Sequence, residues 1–233
     1  MVKTLILVAH PKEQDSLTQA FLKQALTFGN QDIKRRVLSD GQVDGFLPQD
    51  EMQDVLQAER IIFQFPLYWY SAPASLHQWL ADCLITPYKE KMSAKELGLV
   101  VSTGRPESEF ALGKKQGYSL SELLRPFAAI ADNLGMRMLP YFVIPQFEYQ
   151  TDKQHQQLLI DYLQYLELPR DHSFSQREEW FINRLAQLTK NKDESHYQQT
   201  LSMISQQIAE RAERLTELKD EVAMIKNIEE GDL

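Results

Sequence analysis

Five short apolar runs dominate this chain, at residues 4–9, 33–38, 60–65, 97–102 and 136–144. Several are unbroken rather than alternating, as in Thr4-Leu5-Ile6-Leu7-Val8-Ala9. A strand with apolar residues at successive positions has no solvent face, so it belongs in a parallel sheet covered on both sides. Between the runs lie stretches with helical periodicity, at 16–28, 49–59, 74–85 and 119–134. Ser119 or Ser121 caps the last of these. Glu122 stands three residues after Ser119, as a capping box requires, and Gly135 sits where a helix stop is expected. Strands alternating with helices predict a doubly wound α/β fold. In such folds ligands bind beyond the carboxyl ends of the strands, at the switch in strand order.

The periodicity ends well before the chain does. From Ser175 onward 20 of 59 residues are charged, against 38 of the 174 before it, and eight of the nine glycines lie in the first 135 residues. A turn-rich body at 1–170 and a helical C-terminal extension at 171–233 are therefore expected. A net charge of −8 argues against a nucleic-acid partner, which needs a concentrated basic face. A single cysteine, Cys83, excludes an intramolecular disulfide and any multi-cysteine metal cluster. The N-terminal apolar run is too short for a signal peptide, and no apolar stretch of about 18 residues exists to cross a membrane. The chain reads as cytoplasmic.

Three loops follow strand ends. After the first strand, His10-Pro11-Lys12-Glu13-Gln14-Asp15-Ser16-Leu17-Thr18 leads into a helix whose first backbone N–H groups and dipole form an anion site, with His10, Ser16 and Thr18 adding side-chain donors. A plain turn with Ser16 as helix cap is the other reading. After the third strand, Tyr68-Trp69-Tyr70 stands between Pro66 and Pro73. Consecutive aromatics at a strand end cannot all face the core, and the prolines stiffen the loop into a platform for a flat ring system. Such a loop also suits a hydrophobic subunit interface, and the two roles are compatible. After the fourth strand, Ser102-Thr103-Gly104-Arg105-Pro106 lets backbone N–H groups approach a ligand closely. A phosphate site, an aromatic shelf and an amide loop on one edge call for a phosphorylated flat cofactor, of which FMN or FAD fits best. Neither GxGxxG, nor a nucleotide-triphosphate loop, nor GxSxG is present.

At these residues the chain resembles the flavodoxin-like NAD(P)H:quinone oxidoreductases, the DT-diaphorase family with its bacterial branch. The matching segments are 5–11 with Ser16, Phe63-Gln64-Phe65-Pro66-Leu67-Tyr68-Trp69 with Pro73, and 100–104. Glu122-Leu123-Leu124-Arg125-Pro126-Phe127, Leu134-Gly135-Met136 and Leu139-Pro140 complete them, in family order over roughly residues 3–145. The resemblance implies a five-stranded parallel sheet of order 2-1-3-4-5 and a homodimer with flavin at the subunit interface. It implies FMN (FAD remaining open) with NADPH or NADH as co-substrate, and ping-pong transfer of two electrons to a quinone or similar small aromatic acceptor. By the same resemblance His10, Ser16, Leu17 and Thr18 hold the flavin phosphate. Pro66, Leu67, Tyr68, Trp69 and Tyr70 support the ring, and Ser102, Thr103, Gly104 and Arg105 address its polar edge.

Three positions depart from the family pattern. Arg105 replaces a second glycine, and Phe110 stands where a tyrosine is usual, with Gln116 at the place of a later histidine. Phe110 can stack but cannot donate a proton; Tyr118 is the substitute candidate near the flavin. These departures keep open a regulatory flavoprotein subunit, as in the relatives attached to glutathione-gated potassium efflux systems, and an electron carrier without a nicotinamide site. His77, His155, His172 and His196 have no metal-ligand spacing, and Cys83 falls on an apolar helical face with Leu76, Leu80 and Leu84. In the tail, residues 151–166 and 176–189 read as helices. A heptad seam follows, with Leu201, Ile208, Leu215 and Val222 in one position and Tyr197, Ile204, Arg211, Leu218 and Ile225 in its companion. Dimerisation and packing on the chain's own body both account for that seam.

Overall fold

The computed structural model describes residues 2–38, 49–83 and 89–190, with Glu217, Leu218 and Met224 beyond them. It divides the chain into two compact units, residues 1–167 and 168–233.

In the first unit the apolar runs become parallel strands. β1 (Thr4–Ala9) and β3 (Arg60–Pro66) are buried along their whole lengths, and β4 (Glu96–Thr103) is buried except at Ser102. β2 (Ile33–Leu38) is half-covered at one edge. The order is β2-β1-β3-β4-β5, as expected, with β6 also paired to β4. Successive side chains leave opposite faces of each strand, so two cores form. Leu5, Leu7, Phe63, Phe65, Leu99 and Val101 face α2 (Gln49–Gln57), α3 (Ala74–Cys83) and α6 (Arg125–Leu134). Ile6, Val8, Ile62 and Val100 face α1 (Leu17–Ala25) and α7 (Asp152–Glu167). A short α4 (Lys89–Met92) precedes β4.

Two predicted elements are broken, each at a proline. The helix expected over 119–134 is α5 (Leu120–Leu123) followed by α6. Pro126 has no N–H to continue the ladder, so the chain re-starts at Leu124 (φ −92°, ψ 0°). The capping box of Ser119 and Glu122 and the left-handed Gly135 (φ 67°) close the two outer ends as expected. The fifth strand expected over 136–144 is split into β5 (Arg137–Met138) and β6 (Phe142–Pro145), which pair with opposite ends of β4. Between them Tyr165 of α7 fills the gap. Its hydroxyl accepts the Leu99 N–H at 3.1 Å and donates to the Pro140 carbonyl at 2.9 Å. Burial pushes the pKa of this hydroxyl upward and keeps it protonated. Gly98 makes room for it: a Cβ there would stand 2.6 Å from that oxygen and 2.5 Å from Ile62 Cδ1.

The start of the sheet is held by charge. Arg60, fully buried, donates through Nε and Nη2 to one oxygen of Glu96 at 2.8 and 2.6 Å, and through Nη1 to the Tyr165 carbonyl at 2.6 Å. Arg137 reaches the other Glu96 oxygen at 3.2 Å, so this buried carboxylate is fully engaged. Such a pair is costly to halve, by roughly 3–5 kcal/mol, because the survivor is left uncompensated.

In the second unit α8 (Phe174–Lys190) carries Trp180, with Arg184 stacked 5.2 Å above its ring. The heptad seam lies outside the described residues except for Leu218, which is helical and 51% exposed. The side chains of Cys83 and Leu84 also lie outside them.

Replacing Tyr165 by Phe orphans the Leu99 N–H and the Pro140 carbonyl, and is expected to lower unfolding free energy in urea by about 1–3 kcal/mol. Gly98→Ala is also destabilising, but less so in the Tyr165→Phe background, where one of its two close contacts is gone. Additive losses would show that the two residues do not share a site.

Candidate active site

The carboxyl ends of β1, β3, β4 and β6 open onto one cleft of about 810 Å³, within the range of cofactor sites. Four loops wall it. Three are those expected from the sequence, and each contributes in a different way.

In the loop after β1, a 3₁₀ turn (Glu13–Asp15) delivers Ser16 to the N-cap of α1, where its Oγ accepts the Gln19 N–H at 3.3 Å. The cap reading of Ser16 is therefore correct, and it is compatible with an anion site. The hydroxyl proton stays available, and the backbone N–H groups of Leu17 and Thr18 have no backbone acceptor among the described residues. His10 Nδ1 accepts the Lys12 N–H at 3.1 Å, which assigns the ring proton to Nε2. Burial lowers the pKa of His10, outweighing the nearby Glu13 carboxylate. The first turn of α1 is fixed from below by a buried chain of hydrogen bonds. Tyr162 Oη donates to Gln64 Oε1 at 2.7 Å, and Gln64 Nε2 donates to Gln19 Oε1 at 2.6 Å.

In the loop after β3, Tyr68 and Ser71 exchange backbone hydrogen bonds of 3.1 and 3.0 Å around Trp69 (φ 51°) and Tyr70 (φ 63°). Two positive φ values at the centre of a two-residue turn are the type I′ pattern, normally the preserve of Asn and Gly. Aromatic residues there carry strain of order 1–3 kcal/mol each. Trp69 is 94% exposed, so packing of its own ring does not hold it in place. His10 meets Tyr68 edge-on at 6.2 Å, which links the first two loops.

In the loop after β4, Thr103 Oγ1 donates to the Arg105 carbonyl at 2.8 Å, and the Gln146 N–H donates to the Thr103 carbonyl at 2.7 Å. Among the described residues the N–H groups of Gly104 and Arg105 donate to no backbone acceptor. A Cβ on Gly104 would meet nothing within 4 Å, so the missing side chain leaves open cleft rather than easing internal packing.

Of the expected residues, His10, Ser16, Thr18, Pro66, Leu67, Tyr68, Trp69, Ser102, Thr103, Gly104 and Arg105 line the cleft. Leu17 does not; its side chain is 62% exposed and only its N–H belongs to the site. Tyr70 turns instead to Gln116, donating to its Oε1 at 3.1 Å, while Gln116 Nε2 donates to Glu109 at 2.9 Å. Phe110 packs against the core on the α3–α6 side, and Tyr118 is exposed outside the lining. The fourth wall was not anticipated: Ile144, Gln146, Phe147, Glu148 and Tyr149, where the chain leaves β6 through a left-handed Gln146 (φ 45°). The signal was present, since this segment follows the last strand on the same edge as the other three loops. Phe147 is anchored by His155, at 4.5 Å between rings, and by Phe21 at 5.2 Å.

This arrangement fits a phosphorylated flat ring. Free donors cluster at the start of α1, exposed aromatic rings stand beside them, and unused N–H groups face the cleft across an opening that Gly104 keeps clear.

Comparison with known proteins agrees with the architecture. A family model described as "Flavodoxin-like fold" matches residues 2–166. A Bacillus subtilis protein named as an uncharacterized NAD(P)H oxidoreductase is 36% identical over 172 residues, spanning 70% of this chain and 98% of the relative. A potassium-efflux ancillary protein, KefG of Enterobacter sp., is 32% identical over 69% of this chain and 88% of its own. Among solved structures, an NADPH-quinone reductase from P. pentosaceus superposes with a TM-score of 0.67 at 39% identity, covering 72% of this chain and 99% of its own. General stress protein 14 of Treponema denticola, solved in complex with FMN, gives 0.63 at 25% identity, covering 71% and 98%. The fold, the cleft at the strand ends and these likenesses converge: the chain belongs to the flavodoxin-like family that includes the NAD(P)H oxidoreductases and quinone reductases.

Proposed function

We propose that the protein is an FMN-dependent oxidoreductase that passes two electrons from NADH or NADPH to a quinone or comparable acceptor, the two substrates taking turns in one cleft. The observation that carries this reading is the convergence of three unlike donor sets on that cleft. The N–H groups of Leu17 and Thr18, with the Ser16 and Thr18 hydroxyls and His10 Nε2–H, would hold the phosphate. Pro66, Leu67, Tyr68 and Trp69 would bear on the ring, and the N–H groups of Gly104 and Arg105 would meet its polar edge. FMN, when bound, supplies the hydride-accepting and hydride-donating chemistry. The protein's part is to orient the ring, keep one face approachable, and polarise the edge where charge collects. If donor and acceptor take the same face of the ring they exclude one another, as ping-pong kinetics requires. A flavoprotein in complex with FMN among the similar structures supports the choice of cofactor.

A homodimer completes this reading. Trp69, Leu112, Tyr118 and Tyr149 are large apolar side chains between 58% and 94% exposed in the single chain. A second copy would cover such a surface. The extension has a separate contribution: relatives matched over 98–99% of their own length reach only 70–72% of this chain. We assign its heptad seam to reinforcing the dimer.

The KefG likeness supports a second reading, a regulatory subunit of a potassium efflux system. Mass spectrometry of the flavin released from purified protein is expected to give FMN. Steady-state assays with NADH and NADPH against a quinone are expected to give parallel double-reciprocal lines. Absence of turnover by flavin-loaded protein would reject the enzyme and favour the regulatory role. Light scattering of the chain truncated after Thr189 is expected to show a weakened dimer at micromolar concentration; an unchanged dimer would remove the tail from the interface.

A further inference from the structure

Among the described residues lining the cleft, Arg105 is the only lysine or arginine. Its guanidinium makes no ion pair with any described carboxylate, including Glu148 of the facing wall. A guanidinium is a cation, so the lining holds one positive charge, at Arg105, that is not ion-paired to its one carboxylate, Glu148. The backbone that carries it is restrained. Thr103 Oγ1 holds the Arg105 carbonyl at 2.8 Å, and Pro106 (φ −60°, ψ 142°) follows, restricting the conformation of Arg105 itself. Gly104 beside it adds no side chain to screen it.

At the two positions of this loop where the family carries proton donors, Phe110 and Gln116, none is offered to the cleft. Phe110 has none to give and is packed into the core. Gln116 is engaged on both sides, accepting from Tyr70 and donating to Glu109. Charge that develops on a ligand against this wall would meet a cation there rather than a proton donor at position 110 or 116.

We infer that Arg105 is an electrostatic tuning residue, standing at the polar pyrimidine edge of the ring and stabilising the negative charge that the flavin carries once it holds a hydride. The inference rests on the FMN reading above. Hydride transfer breaks the C4–H bond of the dihydronicotinamide and forms an N5–H bond on the ring. Two electrons and one proton move together, the nicotinamide leaves oxidised, and the ring gains one negative charge, concentrated at N1 and the C2 carbonyl. Arg105 compensates that charge, so no second proton is needed at this step. When a quinone takes the hydride, the further proton that completes the hydroquinone comes from solvent. Oxidised flavin is neutral at this edge, so Arg105 favours the reduced form and raises the potential.

Sulfite provides a test independent of turnover, because its sulfur lone pair adds to N5 and leaves the same charge on the ring. The full-length protein loaded with FMN is compared with Arg105→Gln and Arg105→Lys. In Arg105→Gln the sulfite affinity is expected to fall about tenfold, the strength of one charge-assisted contact in a partly exposed site. The same factor in reduced over oxidised flavin binding lowers the two-electron potential by about 30 mV. Oxidised FMN, followed by fluorescence quenching, is expected to bind within about threefold of the parent, since the neutral ring does not engage the charge. Arg105→Lys is expected to recover most of both shifts. Protein that binds FMN but shows the same sulfite affinity and potential in Arg105→Gln would overturn this role and leave the FMN reading standing. Failure of the parent chain to bind FMN at all would overturn both.

Discussion

Burial of a parallel sheet on both faces is the constraint from which the rest of this structure follows. All six residues of β1 and all seven of β3 are withdrawn from solvent, so polar chemistry is confined to the ends of the strands. At one end the sheet meets its electrostatic needs internally, through Arg60, Glu96, Arg137 and the Tyr165 carbonyl. At the other, the N–H groups of Leu17, Thr18, Gly104 and Arg105 have no backbone acceptor among the described residues. The contrast separates a structural edge from the edge that holds the candidate site. The central strand also carries a polar residue inside the core, Gln64, whose bonds to Tyr162 and Gln19 tie the first helix to the middle of the sheet.

The aromatic turn stores strain for a purpose. Trp69 and Tyr70 occupy backbone conformations that glycine or asparagine would adopt at lower cost. Hydrogen bonds across Tyr68 and Ser71, together with the anchoring of Tyr70 by Gln116, hold the turn in place. The result is a rigid edge of exposed rings beside a phosphate-sized cluster of donors. Stiffness here limits the entropy lost when a ligand docks.

Much of this was legible in the sequence because it rests on local signals. Unbroken apolar runs gave the inner strands to within a residue or two, and Ser119, Glu122 and Gly135 gave the ends of the helical segment. The breaks were harder to read. Pro126 and Pro140 were visible, but whether a proline ends an element or is absorbed depends on what lies opposite. At Pro140 the decisive partner is Tyr165, 25 residues away on another element. The site was legible where a loop carried a distinctive composition, as in the aromatic turn. The wall at Ile144–Tyr149 was missed because Gln146, Phe147 and Glu148 have no unusual pattern; only the topology brings them to the cleft. Tyr70 and Leu17 show the limit of assigning a whole motif to a ligand, since neighbouring residues in one turn face different ways.

The account as a whole stands on a flavin that is reduced by a nicotinamide and reoxidised by a second substrate at the same face. Anaerobic titration of flavin-loaded protein, followed at the visible flavin band, separates those halves most directly. One equivalent of NADH or NADPH should bleach the band, and one equivalent of a quinone added afterwards should restore it. A band that neither nicotinamide bleaches would contradict the account.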